Sequence, residues 1–218
     1  MLENLKKQVV AAAQEADRKE LCKHGSGNFS IRDKETGYVL VTPTGVPREE
    51  LTYHDICVVD MNGNAVEIET DVKPTSEVFM HLEAYKCRPE VTSVVHTHSR
   101  FATTFAVLNK EIPPLVYEAM FYGGVVKVAP YGRPGTKELA ESIIEPLKHG
   151  DACLLEQHGV VTVDSSDIKK ALLKAFYVEE VAEIYYRALV INGGKEPKVI
   201  PVDELAAWKY PKDVKINK

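Results

Sequence analysis

The sequence predicts an α/β fold in which helices pack on a largely antiparallel sheet. Three observations carry that reading. Segments with apolar residues at helical spacing alternate with short β-rich runs, two pairs of those runs are joined by turn-forming residues as in hairpins, and no repeat, low-complexity tract or linker breaks the series. A chain of 218 residues can bury a substantial core and nothing in it demands a second domain, so residues 1–218 read as one unit.

The elements follow in order. Leu5, Val9, Ala12 and Ala16 mark a helix over 2–20, ended before the glycine-bearing segment 25–28. Residues 29–32 and 38–42 read as one hairpin, and 56–60 and 65–68 as another across Met61-Asn62-Gly63-Asn64. After Pro74, the positions Val78, Leu82 and Tyr85 line one helix face, which stops before Pro89. A strand over 92–97 comes next, then a helix that Ser99 is placed to cap and a strand over 125–128. Thr136 is placed to cap a helix toward Lys148, with a kink or early stop at Pro146. Two short strands flank a tight turn at His158-Gly159, and the longest helix runs over 167–191 to Gly193-Gly194.

Composition excludes several classes of function. With 44% hydrophobic and 27% charged residues, the chain has ordinary soluble usage, and no apolar run approaches the roughly 20 residues that span a bilayer. The N-terminal segment is charged and periodic, unlike a secretory signal, so a cytoplasmic protein without a membrane partner is expected. Cys22, Cys57, Cys87 and Cys153 lack metal spacing and read as reduced, mostly buried thiols. A net charge of −5 opposes nucleic-acid binding, yet a small anionic substrate stays open because local N–H groups and hydroxyls can hold a phosphate.

His96-Thr97-His98 ends an apolar strand, where residues two apart project from one face, so both imidazoles can point at one ion. Alone, the pair is a weak signal and reads sooner as one partly buried and one exposed histidine. His158 strengthens the metal reading, since a chain reversal between β-rich runs can lift its ring above the sheet. Three neutral imidazoles form a typical catalytic Zn²⁺ shell. His24, His54, His81 and His149 have no partner at ligand spacing and are assigned no chemistry.

Gly25-Ser26-Gly27-Asn28, Thr42-Pro43-Thr44-Gly45 and Lys73-Pro74-Thr75-Ser76-Glu77 each suit a phosphate, through close-approaching backbone, hydroxyls and a helix N-terminus. Each is also an ordinary turn. Glu77 reads either as a carboxylate placed against a helix dipole or as a general base beside an activated carbon.

The ordered set GSGNFS, TPTG, KPTSE, HTH, Tyr117 with Gly123-Gly124, and QHG resembles the class II aldolase/adducin family, most closely its L-fuculose-1-phosphate aldolases, over residues 5–190. The resemblance implies a three-layer αβα fold and one Zn²⁺ per subunit held by His96, His98 and His158, with Glu77 also in the ligand set. It implies a homotetramer with active sites at subunit interfaces. Asn28, Thr44, Gly45, Thr75 and Ser76, with the Gly27 backbone, would bind the phosphate. Glu77 would be the acid/base, Tyr117 would reach a neighbouring subunit's site, and Tyr210 would be the tyrosine that closes over substrate. The implied reaction cleaves a ketose 1-phosphate to dihydroxyacetone phosphate and a small aldehyde through a metal-stabilised enediolate. Ribulose-phosphate 4-epimerases, methylthioribulose-phosphate dehydratases and non-catalytic adducin-like modules share the fold and are the alternatives. Phe121-Tyr122 stands where the fuculose enzymes have small residues, which points to a differently shaped aldehyde end.

Overall fold

Alternation along the strands sorts the apolar side chains into two layers of core. The computed structural model describes residues 2–209. It contains α1 (Glu3–Arg18), β1 (Asn28–Arg32), β2 (Val39–Val41), β3 (Cys57–Val59), β4 (Ala65–Glu67), α2 (Val78–Cys87), β5 (Ser93–Thr97) and α3 (Arg100–Val107). There follow a 3-10 helix (Tyr117–Tyr122), β6 (Lys127–Ala129), α4 (Lys137–Ser142), α5 (Ile144–Leu147), β7 (Ala152–Leu155), β8 (Gly159–Asp164), α6 (Ile168–Ile191) and α7 (Val202–Ala207).

On one face, Phe29, Ile31, Leu40, Val58 and Val95 pack with Val9, Ala12 and Ala16 of α1 and with Leu172 and Ala175 of α6. On the other, Val39, Val41, Cys57, Val94, Cys153 and Val161 meet Met80, Leu82 and Tyr85 of α2, Leu139 of α4 and Leu147 of α5. A third cluster joins Leu154 and Val160 to Phe105 of α3, Val178 of α6 and Leu205 of α7. Most strands are buried on both faces, which is why they read as near-continuous apolar runs.

The eight strands lie in the order β4-β3-β2-β1-β5-β8-β7-β6. The expectation of a largely antiparallel sheet needs correction, because the sheet is mixed. Both hairpins and the β1–β5, β5–β8 and β7–β8 pairs are antiparallel, whereas β6 and β7 run parallel. The cause is the connection between them: α4 and α5 carry the chain back across one face, so β7 enters in the same direction as β6.

Two local expectations also shift. Ser99 occupies the N-cap of α3, but its hydroxyl pairs with Thr97 Oγ1 at 2.7 Å. The free amides of Phe101 and Ala102 donate instead to the Glu179 carboxylate of α6, at 3.0 and 2.9 Å. Thr136 does cap α4, and the helix then breaks at Ile143 ahead of Pro146, whose missing N–H cannot continue the ladder.

Candidate active site

The α2-facing side of the β1–β5 pair departs from the apolar pattern. Asn28 stands opposite His96 in the antiparallel register and Ser30 opposite Val94, so Asn28, Ser30 and His96 share the face under α2. From α2 come Glu77, His81 and Tyr85, spaced four apart and therefore on one side of the helix. All six are buried.

His96 is fully buried and its Nδ1 donates to the carbonyl of Val160 at 2.9 Å. That bond leaves the Nε2 lone pair aimed inward, 3.0 Å from Nε2 of His98. His158 joins them from the β7–β8 reversal, where Gln157 takes a left-handed φ of 56°. The three ring centroids lie 4.8–5.0 Å apart and their ligand nitrogens within 4.8 Å of one another. Gly159 makes this approach feasible: a Cβ there would sit 2.4 Å from the Thr97 carbonyl and 3.1 Å from the His96 ring.

Glu77, at the N-cap of α2, does not cap the helix. Its Oε2 lies 3.3 Å from His96 Nε2 and its Oε1 3.3 Å from His158 Nε2, while Asn28 Nδ2 donates to Oε2 at 2.7 Å. The carboxylate thus stands at the helix N-terminus, as the dipole reading has it, with its oxygens directed to the histidines and Asn28.

Burial, and then the neighbouring rings, push His96 well below the ordinary imidazole range. Burial and His158 lower His98, and burial lowers His158 against the opposing charge of Glu77. Neutral imidazoles with converging lone pairs are metal ligands in waiting. Two buried atoms here, Glu77 Oε1 and His158 Nδ1, have no hydrogen-bond partner. A set of three imidazoles and one carboxylate, without thiolate, fits a catalytic divalent cation such as Zn²⁺.

The three predicted phosphate segments are neighbours. Pro43 and Pro74 form an isolated antiparallel bridge, with Thr44 N donating to Lys73 O at 2.9 Å and Thr75 N to Thr42 O at 3.0 Å. Thr44, Gly45 and Ser76 are exposed, Thr75 is buried, and Asn28 reaches from this cluster to Glu77. Gly27 must be glycine: its φ is 74°, and a Cβ would fall 2.5 Å from the carbonyl of His96. A cavity of about 580 Å³ opens between the first two loops, lined by Gly25, Gly45 and Arg48 among others.

Tyr117 lies apart, half-exposed on the 3-10 helix, with its hydroxyl donating to Glu204 of α7 at 3.2 Å. Tyr210 falls outside the described residues. His54 and His149 pair with Glu69 and Glu145, away from the three histidines.

Sequence reasoning missed two residues. His81 was assigned no chemistry, yet its Nε2 meets Asn28 Oδ1 at 2.5 Å. Its spacing of four from Glu77 on a helix was the available signal. Arg48 is buried with Nη2 donating to the carbonyls of Gly25 and Gly27, at 3.3 and 2.6 Å, while Nε and Nη1 have no protein partner. Nothing in its local sequence marked it.

Comparison with known proteins places the chain in a family. Residues 7–186 match the family described as Class II Aldolase and Adducin N-terminal domain. A 5-deoxy-D-ribulose 1-phosphate aldolase of Bacillus thuringiensis serovar kurstaki is 36% identical over 205 residues, covering 94% of this chain and 93% of that protein. An L-fuculose phosphate aldolase of Escherichia coli K12 is 36% identical over 189 residues, with 86% and 85% covered. A solved L-fuculose 1-phosphate aldolase superposes with a TM-score of 0.86 at 33% identity, over 93% of each chain. By sequence over most of its length and by fold, the chain belongs to the class II aldolase and adducin family.

Proposed function

We propose that residues 1–218 act as one zinc-dependent class II aldolase domain. It would reversibly cleave a ketose 1-phosphate, L-fuculose 1-phosphate or a related deoxy-ketose 1-phosphate, to dihydroxyacetone phosphate and a small aldehyde. The observation that carries this reading is the convergence of His96, His98, His158 and Glu77, with Asn28 tying Glu77 to the loops that suit a phosphate. The two substrate names borne by relatives differ in the aldehyde half, so the shared part is the phosphorylated three-carbon end.

Held by His96, His98 and His158, with Glu77 alongside, Zn²⁺ would supply Lewis-acid polarisation of the ketose carbonyl, the electron sink that carbon–carbon cleavage needs. The chain's own groups do the rest. The Gly27 backbone, Asn28, Thr44, Gly45, Thr75 and Ser76 donate to the phosphate, with the buried Arg48 guanidinium adding positive charge behind the loops. When the C3–C4 bond breaks, the C4 hydroxyl gives up its proton as the aldehyde forms, and Glu77 delivers a proton to C3. Tyr117 exchanges a proton at the aldehyde oxygen in a neighbouring subunit's site, releasing its own phenolic proton as it accepts the one from the C4 hydroxyl, a role consistent with its exposed ring. Tyr210 closes over the substrate.

This reading includes a homotetramer in the cytoplasm. Exposed Tyr117, Phe121 and Tyr186 support an aromatic subunit interface, and among the described residues no helix is long and apolar enough to cross a membrane. The test is to incubate purified protein with ketose 1-phosphates and assay dihydroxyacetone phosphate, with metal analysis and light scattering alongside. Release of dihydroxyacetone phosphate, one Zn²⁺ per subunit, a fourfold mass, and activity lost to a chelator and restored by Zn²⁺ are expected. Full activity in metal-free protein, or no dihydroxyacetone phosphate from any ketose 1-phosphate, overturns the reading.

A further inference from the structure

We propose that His81 is a positioning residue that sets the sense of the Asn28 side-chain amide, and through it the placement of Glu77 and of the phosphate donor that Asn28 presents. The inference rests on the aldolase reading for the roles of Asn28 and Glu77, and on geometry for the rest.

A carboxylate only accepts, so Asn28 must turn its NH₂ toward Glu77 Oε2, at 2.7 Å. Its amide oxygen then faces His81 Nε2 at 2.5 Å, and that nitrogen must carry the proton. A neutral imidazole with its proton on Nε2 has a lone pair on Nδ1, which accepts from the Ser30 hydroxyl at 2.7 Å. Ser30 Oγ in turn accepts from the Tyr85 hydroxyl at 2.7 Å. Every proton in the series therefore points toward Glu77.

The series has no competing solvent, since Ser30, His81 and Tyr85 are fully buried. Burial, followed by the nearby His96, pushes the His81 imidazole down to about 3, so it is neutral near neutral pH. One N–H of the Asn28 amide is committed to Glu77; the second is left for a substrate phosphate oxygen. Without the donor at His81, the buried amide oxygen of Asn28 loses its partner, and Glu77 alone is left to hold the sense and position of the amide.

Two substitutions separate donor from bulk. His81→Gln places an amide N–H near the position of Nε2, whereas His81→Asn reaches the position of Nδ1 and Ser30 but not Asn28. With dihydroxyacetone phosphate formation as the assay, His81→Gln should stay within about threefold of the parent. His81→Asn should lose about 10–100-fold in kcat/KM, with both kcat and the KM for ketose phosphate moved, at unchanged zinc content and Tm. In an Asn28→Ala background, His81→Asn should cost nothing further; additive losses would reduce His81 to a structural residue and overturn the proposal.

A second readout needs no activity. Imidazole ¹⁵N–¹H spectra of the zinc-loaded protein should show the His81 proton on Nε2, with its resonance shifted by Asn28→Ala. A proton on Nδ1 overturns the proposal even if His81→Asn fails to fold. If the parent protein releases no dihydroxyacetone phosphate, the aldolase reading falls, and the tautomer still decides whether His81 orients Asn28.

Discussion

Two polar clusters of this molecule, one of Lys, Arg and Asp beside α6 and one of His, Glu and Asn under α2, differ in how completely they are satisfied. Under the N-terminal half of α6, Lys174 Nζ places its three donors on Asp151 at 2.7 Å, Asp164 at 2.7 Å and the Val163 carbonyl at 3.0 Å. Arg88 takes the other oxygen of Asp151 at 3.0 Å, and Ser166 donates to the remaining oxygen of Asp164. Under α2, by contrast, Glu77 Oε1 and His158 Nδ1 find no donor or acceptor, and the imidazoles face one another. A buried charge with every valence met is a structural device, whereas open valences converging on one point leave room for a ligand.

Substitutions can break that contrast. The largest expected effect is at the open cluster: Glu77→Gln keeps shape and the contact with Asn28 but cannot transfer a proton, so turnover should fall by roughly 10²–10⁴-fold. Zinc content and Tm should hold, and exchange of the dihydroxyacetone phosphate C–H proton with deuterated water should stop. Exchange at the parent rate would remove Glu77 as the base.

At the satisfied cluster the expected effect lies in stability. Lys174→Met leaves Asp164 without its cation, while Asp151 keeps Arg88, and should cost about 1–3 kcal/mol of unfolding free energy in denaturant titrations. The kcat/KM per folded molecule should not change. Loss of activity at full stability would mean that this cluster also serves the reaction.

Ser76→Ala tests the exposed rim of the open cluster. Loss of one hydrogen bond to a phosphate should weaken ketose phosphate binding by about 1.5–3 kcal/mol, read as a raised KM with metal content unchanged. An unmoved KM would take Ser76 out of the site.

The smallest effect is acid sensitivity. Burial alone would raise the Asp164 carboxyl, but hydrogen bonds from Lys174 and Ser166 outweigh it and hold the group at about 2. Its stabilising contribution is therefore fully present above the unfolded carboxylate range, near about 4, and is lost as pH falls from there through about 2. Asp164→Asn should be less stable at neutral pH and lose less between those values. Parallel pH curves for the two proteins would contradict the assignment.

Much of this was legible in residue order. The amphipathic spacing of α1, the two hairpins and the cap at Thr136 all depend on neighbours within a few positions, and all occur as read. His96 and His98 were legible as a pair because strand geometry puts residues two apart on one face. The Ser99 cap failed because a carboxylate from α6, 78 positions from Phe101, competes for the same amides. The parallel β6–β7 edge was missed because strand direction depends on where the intervening helices pack, a property of no local segment.

The sequence by itself determined most of the segments that are helix or strand up to Ile191, though not the 3-10 helix at Tyr117–Tyr122 or α7, and which side chains have the chemistry to bind a metal and a phosphate. Short-range periodicity and conformational preference suffice for that. Only the tertiary structure decided that Asn28 touches both Glu77 and His81, across 49 and 53 positions, and that His158 arrives over a strand not its own. Those meetings follow from sheet order, from the register that sets Asn28 opposite His96, and from α2 covering that one polar stretch of sheet. The physical reason is that burial forces polar groups to find partners across the core, and which partners they find depends on packing that no single segment encodes.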